Sequence, residues 1–119
     1  HHRNRTPGKS RWTIAELEEV ESFTQTHQKN WKDKRNGWGL HTPNGQADYL
    51  GVAVDQICKL FIAKFVSDSK GKRWHGYPAD HQRYTRDRPP ELILKEWIDL
   101  GFLTAQKTSK VIQGKPCSL

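Results

Sequence analysis

The sequence has no methionine, only two cysteines, and no apolar run approaching the ~18 residues that a membrane-spanning helix needs. Each absence removes a class. No membrane-spanning helix and no membrane partner are expected. Cys58 and Cys117 cannot build a disulfide framework, and without a CxxC pair structural zinc is not expected. A reducing, cytoplasmic setting follows. No secretory leader is visible. His1-His2 reads as the end of a purification tag, with the native start expected outside the sequence. Walker A, GxGxxG, GxSxG and HExxH patterns are missing too. No cofactor and no metal site are expected.

What remains is a lean, basic, aromatic chain. Its 119 residues fit one domain, with 34% hydrophobic and 28% charged residues. Five tryptophans and four phenylalanines supply much burial per residue. The net charge of +7 points first to polyanions, nucleic acid above all.

Residues 1–12 are expected to form a flexible basic arm carrying the tag remnant, and 13–119 a single globular domain. Thr13 to Glu16 matches a capping box, with Trp12 and Leu17 placed as a hydrophobic staple, so the first helix is expected to open at Thr13 and end near 27–30. Its first two turns carry Glu16, Glu18, Glu19 and Glu21, which should face away from any polyanion. Residues 29–46 read as loop, rich in Asn-Gly and Pro. There Trp31 and Trp38 alternate with Lys29, Lys32, Lys34 and Arg35. The tryptophans either cap the core or stack on bases.

The apolar spacing of Leu50, Val54, Ile57, Phe61, Ile62 and Phe65 predicts a long central helix over 47–66. Pro89-Pro90 opens a further helix that Gly101 closes as a left-handed cap, with Phe102 in the accompanying contact. Residues 103–113 read as a short β-hairpin. The expected fold is therefore α+β but predominantly helical, with three principal helices. Its expected core is Val54, Ile57, Phe61, Phe65, Ile93, Trp97 and Phe102.

The densest chemistry lies in 70–88. Lys70, Lys72, Arg73, Arg83, Arg86 and Arg88 face only Asp80 and Asp87, with Trp74, Tyr77 and Tyr84 interleaved. Arg86 and Arg88 also stand before a helix N-terminus, where backbone donors meet phosphate. The leading expectation is a small non-enzymatic module binding DNA or RNA phosphates through Lys72, Arg73, Trp74, Tyr77, Arg83, Tyr84, Arg86 and Arg88. Lys107, Lys110 and Lys115 would assist. The alternative is a metal-independent, toxin-like ribonuclease with His75 and His81 as general acid and base. Such an enzyme needs a group titrating near neutrality and cations for the charged transition state, and His and Arg supply these. A third reading is an adaptor that presents the Trp-rich loops to an acidic protein.

Residues 92–115 order as helix, Leu-Gly-Phe-Leu, strand, basic turn, strand. This resembles the last helix and wing of winged-helix DNA-binding domains. The resemblance implies a helix in the major groove and a wing on the backbone. That helix carries Glu91, Glu96 and Asp99 with Lys95 its single cation, so no base-reading residue is carried over.

Overall fold

The apolar run at 60–66 decides the architecture. A run without clear alternation fits a buried helix, or equally a strand covered on both faces. In the computed structural model, which describes residues 9–119, it is a strand. The chain runs β1 (Arg11–Trp12), α1 (Glu16–Gln28), β2 (Lys32–Asp33), β3 (Asn36–Leu40), β4 (Gly51–Val52), β5 (Lys59–Leu60), β6 (Ile62–Ser67) and β7 (Trp74–Ala79). A 3-10 turn at Thr85–Asp87, α2 (Glu91–Asp99) and α3 (Ala105–Gln113) complete it. Two antiparallel sheets organise the described residues, one ordered β2-β3-β6-β7 and a smaller one ordered β1-β4-β5.

Register separates the two faces of the larger sheet. Trp38 pairs Lys64, which pairs Tyr77, and Leu40 pairs Ile62, which pairs Ala79. These residues face α2 and α3, and Trp38, Leu40, Ile62 and Ala79 pack with Trp31, Ile93, Leu94, Trp97 and Val111. The opposite face carries Ala63 and Phe65, which pack with Trp12, Ile14 and Leu50, and with Phe23 of α1.

A glycine lets α1 lie close on this second face. A Cβ on Gly39 would stand 2.3 Å from Thr26 Oγ1 and 2.9 Å from Ser22 Oγ. Gly39→Ala is therefore expected to cost about 1–3 kcal/mol by overpacking, readable as a lower denaturant midpoint at unchanged m-value.

The predominantly helical expectation does not hold. The central helix over 47–66 is instead β4, a turn, β5 and β6. Asp55 breaks it: its carboxylate accepts the backbone N–H groups of Ile57 and Cys58, both at 2.9 Å, and Gln56 takes a positive φ of 64°. Beyond the turn, β-branched and aromatic residues fill a strand buried on both faces. Ile57, expected in the core, is 82% exposed, and Val54 is half-buried. Phe61, Phe65, Ile93 and Trp97 are buried as expected.

The C-terminal hairpin is a helix, α3. Thr104 caps it by accepting Lys107 N–H at 3.2 Å, and Gly114 closes it at φ 69°. Its Thr and Val residues suggested strand, yet Thr108 and Val111 are spaced for one helical face and are buried. With no hairpin there is no wing, and the winged-helix arrangement falls with it. The 29–46 loop holds β2 and β3, and the 70–88 loop holds β7. As the edge strand, β7 tolerates Pro78.

α1 opens at Glu16, not Thr13, and Glu18 Oε1 accepts the Ala15 N–H at 3.0 Å. Trp12 is buried on β1 while Leu17 is exposed, so no staple forms. α2 matches its expectation closely. Gly101 N–H reaches Ile98 O at 3.0 Å and Phe102 N–H reaches Trp97 O at 2.9 Å, with Gly101 at φ 81°. The expected arm lies outside the described residues up to position 8. Beyond it, Ser10 Oγ donates to Pro78 O at 2.8 Å and Arg11–Trp12 pairs with β4.

Candidate nucleic-acid interface

The strand at β7 distributes the residues of the 70–88 segment instead of presenting them as one surface. Lys72 and Arg73 lie in the turn before β7, exposed. Trp74 is half-buried beside α1, its ring centroid 5.0 Å from His27 and 5.9 Å from Phe23. His75 is exposed on β7, and Tyr77 points to the other core. Arg83 bridges Asp80 at 2.8 Å and Asp55 at 3.3 Å, which ties two turns together. Arg86 covers the Tyr84 ring at 4.5 Å. Arg88 Nε donates to His81 O at 2.8 Å, and its guanidinium occupies the space beside Gly114. Lys107 is half-buried and Lys110 exposed on α3. Arg83 and Arg88 are therefore held by internal partners.

Beneath the 84–88 segment lies a buried polar cluster. Asp87, 2% exposed, accepts Tyr77 O–H at 2.8 Å and Asp80 N–H at 2.9 Å. Trp38 Nε1 donates to the Asp87 carbonyl at 3.2 Å. Lys64, also 2% exposed, lies 4.6 Å from the Trp38 ring centroid and donates to the Arg86 carbonyl. Burial lowers the Lys64 pKa against the pull of Asp87. Burial and the Asp87 charge raise that of Tyr77. Lys64 is shut away from solvent and Tyr77 is half-buried, so the cluster holds the segment on the sheet. One signal for it was legible: a lysine inside an apolar run.

His75 and His81 are not joined in one site. His81 is 3% exposed and its Nε2 lies 2.8 Å from the Lys115 carbonyl, so it is the Nε2–H tautomer. Burial is the main cause of its lowered pKa. Below pH 6.5 the unfolded chain then binds more protons at this residue than the folded one. The associated stability is full above 6.5 and is lost as pH falls through the folded value. His81→Gln is expected to flatten this acid limb, as read by denaturant titration between pH 7 and 5.

Five exposed cations gather elsewhere. The β2–β3 turn presents Lys34 and Arg35, and the β6–β7 turn presents Lys70, Lys72 and Arg73. Pairing of Asn36 with Val66 brings both turns to one end of the sheet, and Ser67 N–H donates to Arg35 O at 2.8 Å. Lys32 stands just behind, its Nζ 3.0 Å from His27 Nδ1. Among the described residues, none of Lys34, Arg35, Lys70, Lys72 and Arg73 makes an ion pair. Two acids share this end. Asp33 is exposed, and Asp68 accepts the backbone N–H groups of Lys70 and Lys72 at 3.2 and 3.0 Å. Backbone hydrogen bonds, that of Lys72 first, lower the Asp68 pKa and keep it charged within the turn.

The rest of the molecule is polarised to match. Ser22 and Thr26 of α1 flank Gly39, Thr26 also reaches Gly37, and Glu18 meets His41 at 3.5 Å. α1 therefore runs from an acidic start at the far end of β3 toward the basic tip. A groove of about 440 Å³ between α1 and residues 40–43 carries Glu18 and Glu21, which repel phosphate. Among the described residues no cluster of His, Cys, Asp and Glu could hold a metal ion. Among the described residues no helix is long and apolar enough to cross a membrane. The chain matches no known protein family, curated protein or solved structure.

Proposed function

We propose that this domain binds the phosphate backbone of nucleic acid through the tip formed by the β2–β3 and β6–β7 turns. The observation that carries the reading is convergence. Two basic turns far apart in sequence meet at one sheet end and present five exposed cations that make no ion pair among the described residues. Arg83 and Arg88, by contrast, are tied to internal partners. Lys34 adds support. It takes a left-handed φ of 56° at a turn position where glycine is ordinarily favoured. Holding a lysine there costs on the order of 1 kcal/mol. The ribonuclease alternative has no comparable support, because His81 is occupied by the Lys115 carbonyl.

The test is fluorescence anisotropy with labelled oligonucleotides at several salt concentrations. Wild type is expected to bind with a log–log salt slope of roughly −4 to −5, since each neutralised phosphate contributes ~0.9. Lys34→Gly is expected to flatten the slope by about 0.9. Its fold should be unchanged or up to about 1 kcal/mol more stable. No binding at low salt would remove the proposal.

A further inference from the structure

We infer that the two turns act as separate prongs on the two strands of a duplex, gripping the phosphate ridges on either side of the minor groove without reading base edges. This rests on the phosphate-binding reading above and deepens it. In the order β2-β3-β6-β7, one turn is centred between the first two strands and the other between the last two. Their midlines are two strand spacings apart, about 10 Å. The minor groove of B-DNA is about 6 Å wide and the major groove about 12 Å. Prongs about 10 Å apart therefore sit outside the edges of the minor groove, where the phosphate ridges are. The four strands together span three spacings, about 14 Å, before side chains are added. A tip that broad does not fit into a major groove of about 12 Å, where base identity is read.

The aromatic residues argue the same way. Single-strand binders stack bases on exposed rings between their cations. Here Trp12, Trp31, Trp38 and Trp97 are buried, and Tyr77 is hydrogen-bonded to Asp87. Trp74, the ring nearest the tip, packs edge-on against His27 at 88°. Among the described residues the tip thus offers charge at two separated points, with its nearest ring half-buried against α1, which suits a duplex backbone and gives no sequence preference.

Duplexes in which one strand carries neutral methylphosphonate linkages test this by anisotropy across a salt series. With both prongs engaged on separate strands, wild type should lose about half its salt slope on the half-neutral duplex. Lys72→Ala/Arg73→Ala has a weakened second prong, so it should lose little further slope there. Single-stranded DNA should bind more weakly than duplex at equal salt. A nearly unchanged wild-type slope on the half-neutral duplex would overturn the inference, because both prongs would then lie on one strand. Single strands binding as tightly as duplex would overturn it as well. Failure to bind unmodified duplex at all is a different outcome, and removes the parent reading together with this one.

Discussion

Asp87→Ala is expected to destabilise the protein by about 3–5 kcal/mol, the range for removing one member of a buried charged pair. The substitution leaves the Tyr77 hydroxyl and the Asp80 N–H without their acceptor, and Lys64 without the carboxylate charge that acts on it. Each such orphan costs on the order of 1–3 kcal/mol when buried. Urea titration at pH 7 reads the loss. Lys64→Met/Asp87→Asn removes both charges together and should recover most of it. A loss below about 1 kcal/mol for Asp87→Ala, typical of surface changes, would show that the cluster does not hold the 84–88 segment.

Alkaline pH acts on the same cluster in two directions. The Lys64 pKa is lowered from 10.5, mainly by burial, so the unfolded chain binds more protons there as pH approaches 10.5 from below. Stability associated with Lys64 therefore rises through that window. The Tyr77 pKa is raised from 10.0 by burial and Asp87, so its contribution is full below pH 10 and is lost as pH climbs through the folded value. Tyr77→Phe should remove the decline and leave the rise.

Lys34→Ala/Arg35→Ala/Lys72→Ala/Arg73→Ala should have the largest effect on binding. Removing four phosphate contacts flattens the salt slope by about 3.6 and weakens affinity by about three orders of magnitude near 0.1 M salt. All four residues are exposed, so folding should change little. Lys107→Ala/Lys110→Ala, on α3 away from the tip, should retain nearly full slope. Equal losses in the two variants would mean that binding follows net charge and has no defined site.

Local signals were legible in the sequence, and long-range pairings were not. Pro89-Pro90 and Gly101 placed α2 almost to the residue, because caps are chemistry of adjacent residues. α1 was legible too, although Thr13 drew its start three residues early. The failures share a cause. Ile62 to Ser67 is covered on both faces, which erases the alternation that marks a strand, and the remaining apolar spacing imitated a helix. α3 was obscured by the β-branched residues Thr108, Val111 and Ile112, although its Thr104 cap and Gly114 stop were there to read. Both basic turns were visible as basic stretches. That they meet depends on pairing Asn36 with Val66, thirty residues apart, and nothing local encodes that. The same pairing shows why 70–88 is not one surface: β7 carries its first residues to the tip and folds the later ones onto the opposite end.

The most direct measurement is a backbone amide NMR titration with a short DNA duplex at low salt. Perturbations should centre on Lys34, Arg35 and residues 69–73, extend to Lys32 and His75, and leave α1 residues 16–21 and the 80–88 segment nearly unmoved. Perturbations centred on 80–88 or α3, or none along the two turns under conditions where the duplex binds, would contradict the tip as the phosphate site.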